Sequence, residues 1–315
     1  FVHCFEGLAT MSNKDGSPSV IDWRLIDANT KIVKNEWKQQ TIDYNHSVLA
    51  SLGLPYREMK GVQSFVRTSG NTTLRLRAGQ TLMSDGSYQD VGLPFGSKAR
   101  LVLIWCVSEA IKNQNPVVSI ERSFTRFVSD LGFSTSGYSI KTMREQVKRL
   151  SVLSMSMSVE TDGFTNVHQT YVFSKFRVIT SSDKNQYDLF PSEIEFSKDF
   201  FLSLMDHAVP LNRDALVALR HNARALDIYQ WLSSRLYRIG VNRSVHIRWS
   251  SLKYQFGVPT QNSYSFRARF RDALEQVLLV YPNADVRQTK TGLSLRYSPP
   301  PISRSNSQNR LRHDV

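Results

Sequence analysis

Arg267 and Arg271 stand four residues apart, one helical turn, in a stretch with helical periodicity. Each guanidinium can donate two hydrogen bonds to the O6 and N7 atoms of one guanine. The apolar residues of this stretch, 263–281, repeat on one helical face: Phe266, Phe270, Ala273, Leu274, Val277 and Tyr281. We therefore expect both arginines to face away from the core and contact bases. The alternative is a solvated face on which they pair with Asp272 or Glu275.

The elements around this helix have a recognisable order. An alternating strand, 245–249, precedes a helix over 250–256, and the chain after the arginines forms a predicted hairpin, 284–297. Strand, helix, helix and hairpin is the order of a winged helix, which places its second helix in the major groove. Arg287 and Lys290 lie near the hairpin tip, where we expect them to contact phosphates or the minor groove. Ordinary α+β packing would give the same pattern.

The charge of the chain favours a polyanionic partner. The 315 residues carry a formal charge of +13, and 14 basic against 4 acidic residues place 14 − 4 = +10 of it in residues 235–315. Nucleic acid is favoured over a membrane because the sequence contains no long apolar run or lipidation motif. Cys4 and Cys106 are far apart and lack companion ligands, so we expect no disulfide, no metal site and a reducing compartment.

The same order of strand, helix, helix and hairpin also occurs earlier in the chain. It comprises a strand at 117–120, helices at 123–131 and 139–150, and a hairpin with strands at 152–160 and 166–176. Four pairs of landmarks are separated by about 126 residues: Trp105 and Trp231, Ile120 and Ile247, Gly132 and Gly257, and Val147 and Leu274. The fold class predicted is α+β, with two tandem winged-helix domains.

The predicted organisation has four parts. Residues 1–61 form a weakly ordered N-terminal extension, with Met11 as the expected start and a short helix near 34–40; residues 62–185 form the first winged-helix domain. Residues 186–298 form the second winged-helix domain, the main DNA-binding part, and 299–315 form a disordered basic tail. The apolar segments 98–112 and 223–238 are the predicted core helix of each domain.

The first domain offers weaker candidates. Its second helix mixes Glu145 with three basic residues, Lys141, Lys148 and Arg149, on the face opposite the core, so we expect weaker DNA contacts and a surface for a homodimer. The candidate DNA-binding residues are Arg267, Arg271, Arg269, Tyr264, Arg248, Lys253, Arg287, Lys290, Lys141, Arg144, Lys148 and Arg149.

The motifs of two kinds of enzyme that act on DNA are missing from the sequence. Nicking would use two His flanking one hydrophobe to hold a metal beside a Tyr nucleophile, and His246 has no such companion. The glycines, including Gly96, do not take the spacing of a phosphate-binding loop. We therefore expect no enzymatic activity, no metal and no cofactor, although a catalytic pair assembled by the fold stays open.

Several motifs resemble the RepA replication initiators encoded by bacterial plasmids. They are LPFGSKARL at 93–101, SFTRF at 123–127, LG at 131–132, REQVKRL at 144–150, VPL at 209–211, LDIYQWL at 226–232 and QFG at 255–257. LDIYQWL is the most specific, and Ala99 departs from an expected proline, at little cost in a first helical turn.

The resemblance covers about 93–300 and implies a protein of the bacterial cytoplasm. It implies binding to repeated double-stranded sites at a plasmid origin and opening of the duplex, with the host initiator and replicative helicase as partners. An origin-nicking or primase-like enzyme remains an alternative, as does a transcriptional repressor built on the same winged helices.

Overall fold

The structure, a computed structural model, describes residues 23–34, 42–83, 85–120, 124–161, 164–178, 191–258 and 260–302. The α-helices are α1 (Trp23–Val33), α2 (Ser47–Leu52), α3 (Gly96–Lys112), α4 (Phe124–Asp130), α5 (Gly137–Ser151), α6 (Lys198–His207), α7 (Arg213–Leu219), α8 (Ala223–Arg235), α9 (Trp249–Phe256) and α10 (Ser263–Val280). The strands are β1 (Ile42–His46), β2 (Ser64–Ser69), β3 (Thr72–Arg77), β4 (Gln80–Leu82), β5 (Tyr88–Asp90), β6 (Val117–Ser119), β7 (Ser154–Thr161), β8 (Phe164–Tyr171), β9 (Phe173–Val178), β10 (Pro191–Phe196), β11 (Ala208–Asn212), β12 (Ser244–Arg248), β13 (Val286–Gln288) and β14 (Gly292–Arg296). The fold is mixed α and β.

Two apolar helices form the centre of the core. Nearly every residue from Ala99 to Ile111 of α3 is buried, and so are residues 225–234 of α8, because helices that are apolar on most sides pack against neighbours all round. Trp105 of α3 stacks on Phe127 of α4, with ring centroids 4.7 Å apart. Trp231 of α8 packs edge-on against Phe256 of α9 at 5.2 Å. The predicted core helices are confirmed. Each packs against the first helix that follows the next short strand, α3 against α4 and α8 against α9.

Two three-stranded antiparallel sheets share one strand order. One is β12-β14-β13 and the other is β6-β10-β9. In each, the short strand that precedes two helices pairs with the last strand of the set, as Val245 does with Leu295 and Val118 with Ile194. The two halves of the chain therefore repeat one arrangement of strands and helices.

The hairpin predicted for the first half forms, but in another sheet. β7 and β8 pair through Thr161 and Phe164, and β7 also pairs with β3. The resulting sheet has the order β2-β3-β7-β8. The predicted strand 166–176 is divided at the buried Val172, and its second part, β9, pairs with β10.

The expectation of weak order in residues 1–61 was wrong for residues 42–61. β1 pairs with β11 along its whole length and is buried at every position. Its polar residues are buried because they have partners: Asp43 bonds Arg213, and the Nδ2 atom of Asn45 donates to Gln230. A strand buried on both faces with polar residues inside has no apolar alternation, so periodicity did not predict it.

The two ends of the described chain also pack on the core. α1 contacts α7 and α10, and Asn29 donates from Nδ2 to the Leu279 carbonyl at 2.6 Å. Near the other end, the Tyr281 hydroxyl donates to the Pro299 carbonyl at 2.6 Å, and Ile302 is buried. The tail predicted from residue 299 therefore begins as packed chain through Ile302. Residues 303–315, the predicted start at Met11 and most of the predicted helix 34–40 lie outside the described residues.

Candidate nucleic-acid interface

Helix α10 is fixed by its cap and its apolar face. The Asn262 side chain caps it by accepting from the Ser265 amide at 2.8 Å. The residues predicted for the core are buried: Phe266, Phe270, Ala273, Leu274, Val277 and, just after the helix, Tyr281. Burial of this face leaves the opposite side of α10 in solvent.

Arg267 and Arg271 lie on that exposed side and share one aromatic ring. Their guanidinium carbons are 5.9 and 5.5 Å from the ring centroid of Trp249, which is 3% exposed. A cation over an indole face is attracted by the ring electrons and keeps its charge. Among the described residues, no acidic group lies within ion-pair distance of either arginine, so the predicted alternative of pairing with Asp272 or Glu275 is not observed.

The other two candidates on α10 lie on different sides. Tyr264 is 68% exposed and lies one to two turns before Arg267 and Arg271, on the same face. Arg269 is two positions from each arginine, a rotation of about 200° at about 100° per residue, so it lies on the opposite side of the helix from them. There it lines a groove that faces the first half of the chain. The structure thus brings Tyr264, Arg267 and Arg271 together and separates Arg269 from them.

The hairpin β13–β14 is tied to the start of α9. The Trp249 amide donates to the Thr291 carbonyl at 3.0 Å, and the Thr291 hydroxyl bonds His246 at 3.0 Å. A Cβ atom at Gly292 would lie 1.9 Å from the Ile247 carbonyl oxygen, so this position requires glycine. Lys290 at the tip is exposed. The hairpin is consequently held in one position relative to the Trp249 ring and its arginines.

The remaining candidate cations of the second half differ in exposure and in their bonding partners. Arg287 is exposed and paired with Asp285 at 3.3 Å. Arg248 is exposed at the end of β12. Lys253 on α9 is half-buried, and its Nζ donates to the Ser263 hydroxyl at 3.4 Å. None of these three lies over the Trp249 ring, which Arg267 and Arg271 share.

On α5, the four candidate cations are not equivalent. Lys141 and Arg144 are exposed and Lys148 is half-buried. Arg149 bonds Glu145 at 2.8 Å and Glu58 at 2.7 Å.

Arg149 also donates to the Leu93 carbonyl at 3.1 Å and lies 5.0 Å from the centroid of the Phe95 ring. We expected this arginine to contact DNA, but its guanidinium is occupied in joining α5 to the segment before α3.

The most specific motif of the sequence, LDIYQWL at 226–232, joins the two halves of the chain. Asp227 of α8 forms two hydrogen bonds with Arg100 of α3, 2.6 and 2.7 Å long, and both side chains are 3% exposed. A Cβ atom at Gly53, where φ is +63°, would lie 2.6 Å from the Asp227 carboxylate. Tyr229 accepts from the Asn212 amide at 2.9 Å. Sequence reasoning missed this junction, although a lone Arg and a lone Asp inside apolar helices are a usable signal of a buried pair.

The described residues hold neither a metal-binding cluster nor a membrane-spanning helix. Among them, no three His, Cys, Asp or Glu side chains are grouped to hold a metal ion. None of the helices in this part of the chain has the length and apolarity needed to cross a membrane.

Comparison with known structures shows a shared fold. A crystal structure of selenomethionine derivatives of domain 2 and domain 3 of RctB is similar with a TM-score of 0.50 and 13% identity, over 80% of this chain and 98% of that one. A second structure, of RctB domains 2-3, gives a TM-score of 0.49 and 11% identity, over 79% and 94%. No curated protein matches the chain.

Comparison with protein families gives a match to one model. The model described as "Plasmid encoded RepA protein" matches residues 93–251, half of the chain. The match runs from the segment before α3 into α9 and includes the Arg100–Asp227 junction, whereas α10 and the β13–β14 hairpin follow it. The chain therefore belongs to the family of plasmid-encoded RepA proteins, the replication initiators that its motifs resemble.

Proposed function

We propose that this chain is a plasmid replication initiator that binds repeated double-stranded sites sequence-specifically and opens the adjacent duplex without enzymatic chemistry of its own. The observation that carries the proposal is the pair Arg267 and Arg271, exposed, unpaired with acids among the described residues and held over Trp249. Guanidiniums fixed on the exposed face of a capped helix suit the edges of guanines in a major groove.

The repeated strand order supports two tandem winged helices. In each sheet the strand that precedes the two helices pairs with the last strand of the set. The strand that comes between them in the sequence lies at the edge, as β13 does in β12-β14-β13. In this proposal α5 and α10 are the helices that enter two major grooves. Because β10 pairs with β6 and β9, we place the boundary between the domains after Phe196 rather than at residue 185.

The test uses DNA that flanks the gene. Incubation with the protein should protect repeated sites from nuclease and make thymines in neighbouring A·T-rich DNA reactive to permanganate. Protection without reactive thymines would favour a transcriptional repressor, and metal-dependent cleavage of the DNA would favour a nicking enzyme. Loss of both protection and reactivity would contradict the proposal.

The remaining partners follow from the same proposal. Host initiator and replicative helicase would bind after opening, in the bacterial cytoplasm. Self-association would use the first domain, whose α5 offers fewer free cations than α10. Sedimentation with and without DNA tests this part: a strict monomer at every concentration would remove the homodimer.

A further inference from the structure

A polar groove runs between the first half of the chain and the flank of α10. It encloses about 1900 Å³ and is lined by the segment 55–59, β2, the start of α8, and the α9–α10 region. The cationic residues that line it are Arg57, Arg67, Arg224, Lys253 and Arg269. Glu58 and Asp272 are its acidic lining residues, and Glu58 already bonds Arg149 at 2.7 Å. The groove therefore carries excess positive charge.

The excess is greatest at the floor, around Tyr56. The guanidiniums of Arg67, Arg100 and Arg224 lie 4.9, 5.0 and 5.0 Å from the centroid of its ring. Asp227 bonds Arg100 at 2.6 Å and lies 3.8 Å from Arg67, so this one carboxylate serves two of the three cations. Buried charge without a counterion is unfavourable, and an anion entering the groove would relieve it.

Two buried donors at this floor lack partners. Among the described residues, neither Nη1 of Arg224 nor Nε2 of Gln261 has a hydrogen-bond acceptor. The two side chains touch each other through Nη2 of Arg224 and Oε1 of Gln261, 3.4 Å apart. Burial lowers the pKa of Arg224, a hydrogen bond with Tyr56 opposes this shift, and the nearby cations Arg269 and Arg67 lower the pKa further. Phosphate oxygens are acceptors that such donors and charges prefer.

The flank of α10 connects this floor to the DNA of the proposed function. A helix in the major groove has one sugar–phosphate backbone along each side. Ser265, Arg269 and Gln276 lie on the side of α10 that lines the groove, and Arg267 and Arg271 lie on the opposite side, over Trp249. The two sets border the outward face of the helix from its two edges. The backbone on the groove side would pass Arg269 before reaching Arg224.

We propose that this groove is a phosphate site, with Arg269 at its wall and Arg224 and Gln261 at its floor, and that it takes a backbone phosphate of the DNA strand flanking α10. The site rests on the proposed function, and it joins Arg269, already a candidate from the sequence, to Arg224 and Gln261, which no sequence motif indicated. Phosphates fix position and carry no base identity, so this site adds affinity and register but no sequence preference.

The test compares three variants in full-length protein. Arg224→Met removes the charge and keeps apolar contact with Tyr56 and Phe266, and Arg269→Met changes an exposed residue that the core does not need. Arg77→Met, on the exposed face of β3 away from the groove, is the charge-matched control. Binding to the cognate repeat and to scrambled duplex is measured from 50 to 200 mM salt. Each groove variant should lower the slope of log affinity against log salt by about 0.9, the value for one lost phosphate contact.

The outcomes separate this inference from the proposed function. Equal weakening on both DNAs by Arg224→Met and Arg269→Met, with Arg77→Met unchanged, supports the site. If the wild type binds DNA but the groove variants keep its slope, the site is absent while the proposed function stands; if the wild type binds no DNA, the proposed function fails first. The groove could instead bind a free phosphate ion, and inorganic phosphate is the probe for this. If phosphate protects the wild type against thermal unfolding, Arg224→Met abolishes that protection and the salt slope for DNA is unchanged, the assignment to DNA is overturned.

Discussion

Helices α5 and α10 occupy corresponding places in the two halves of the chain, yet their arginines have different surroundings. Arg149 of α5 bonds two glutamates and a carbonyl, whereas Arg267 and Arg271 of α10 meet an aromatic ring and solvent. The difference lies in the acids near each helix. Glu58 and Glu145 form ion pairs with Arg149, whereas among the described residues no acid lies within ion-pair distance of the α10 pair and Glu275 interacts with Arg271 only at longer range. We therefore expect DNA binding to depend less on the number of cations on a helix than on the number left without an acidic partner.

The largest expected effect on stability concerns Arg100, whose guanidinium is buried and paired with Asp227. Asp227→Asn keeps the shape of the side chain and leaves Arg100 buried without a counterion, beside Arg67 and Arg224. We expect the free energy of unfolding to fall by roughly 3–5 kcal/mol, measured by denaturant titration. Asp272→Asn, an exposed acid of the groove, is the control and should change stability by less than about 0.5 kcal/mol. Equal stability of the two variants would show that the junction is not held by charge.

A second prediction concerns the dependence of stability on pH, which we expect to be set by His46 at the end of β1. His46 caps α2 by accepting from the Val48 amide, bonds Ser203 and stacks on Phe200. Burial, with a smaller contribution from His207, lowers its pKa from 6.5 to about 4. Because the unfolded chain binds the proton first, stability should be complete above pH 6.5 and fall by up to about 3 kcal/mol as the pH drops to 4.

The matched variant for the pH experiment is His46→Asn, which can still cap the helix and does not titrate. Its unfolding free energy should change less than that of the wild type between pH 6.5 and 4, as followed by denaturant titration at each pH. Parallel pH profiles of the two proteins would show that His46 is not the group responsible.

The third and smallest stability effect sharpens the comparison of α5 with α10. Arg149→Ala removes two half-exposed ion pairs, a carbonyl bond and a contact with Phe95, so we expect a loss of about 1–2 kcal/mol. Lys141→Ala on the exposed side of the same helix should cost less than about 0.5 kcal/mol. Thermal unfolding of both variants checks this. A loss of DNA affinity by Arg149→Ala without any loss of stability would return Arg149 to the binding surface.

The periodicity of the sequence predicted those elements that bury an apolar face or are formed by residues close together in the chain. The helices α3, α8 and α10 and the β13–β14 hairpin appear within a few residues of their expected bounds, because one apolar face or a short turn determines each. The predicted correspondence of glycines holds less well: Gly132 has a φ of +68°, whereas Gly257 has a φ of −81°. Equal spacing in sequence therefore did not mean equal turns.

The remainder depends on long-range polar contacts that a local pattern does not contain. β1 is buried through Asp43 and Asn45, whose partners are far away in the chain. Likewise, Arg149 was expected on the binding surface because its acid Glu58 is 91 residues away. The groove floor combines Tyr56, Arg67 and Arg224 from separate segments, so it could be identified only once the fold was known.

The central claim is that α10 distinguishes bases while the hairpin holds the backbone, and four alanine variants test it most directly. Affinity for the cognate repeat and for scrambled DNA is measured at one salt concentration for Arg267→Ala, Arg271→Ala, Arg287→Ala and Lys290→Ala. The two α10 variants should lower the ratio of specific to nonspecific affinity by an amount corresponding to roughly 1–3 kcal/mol each. The two hairpin variants should weaken both affinities together. An unchanged ratio in both α10 variants, with the fold intact, would contradict the account.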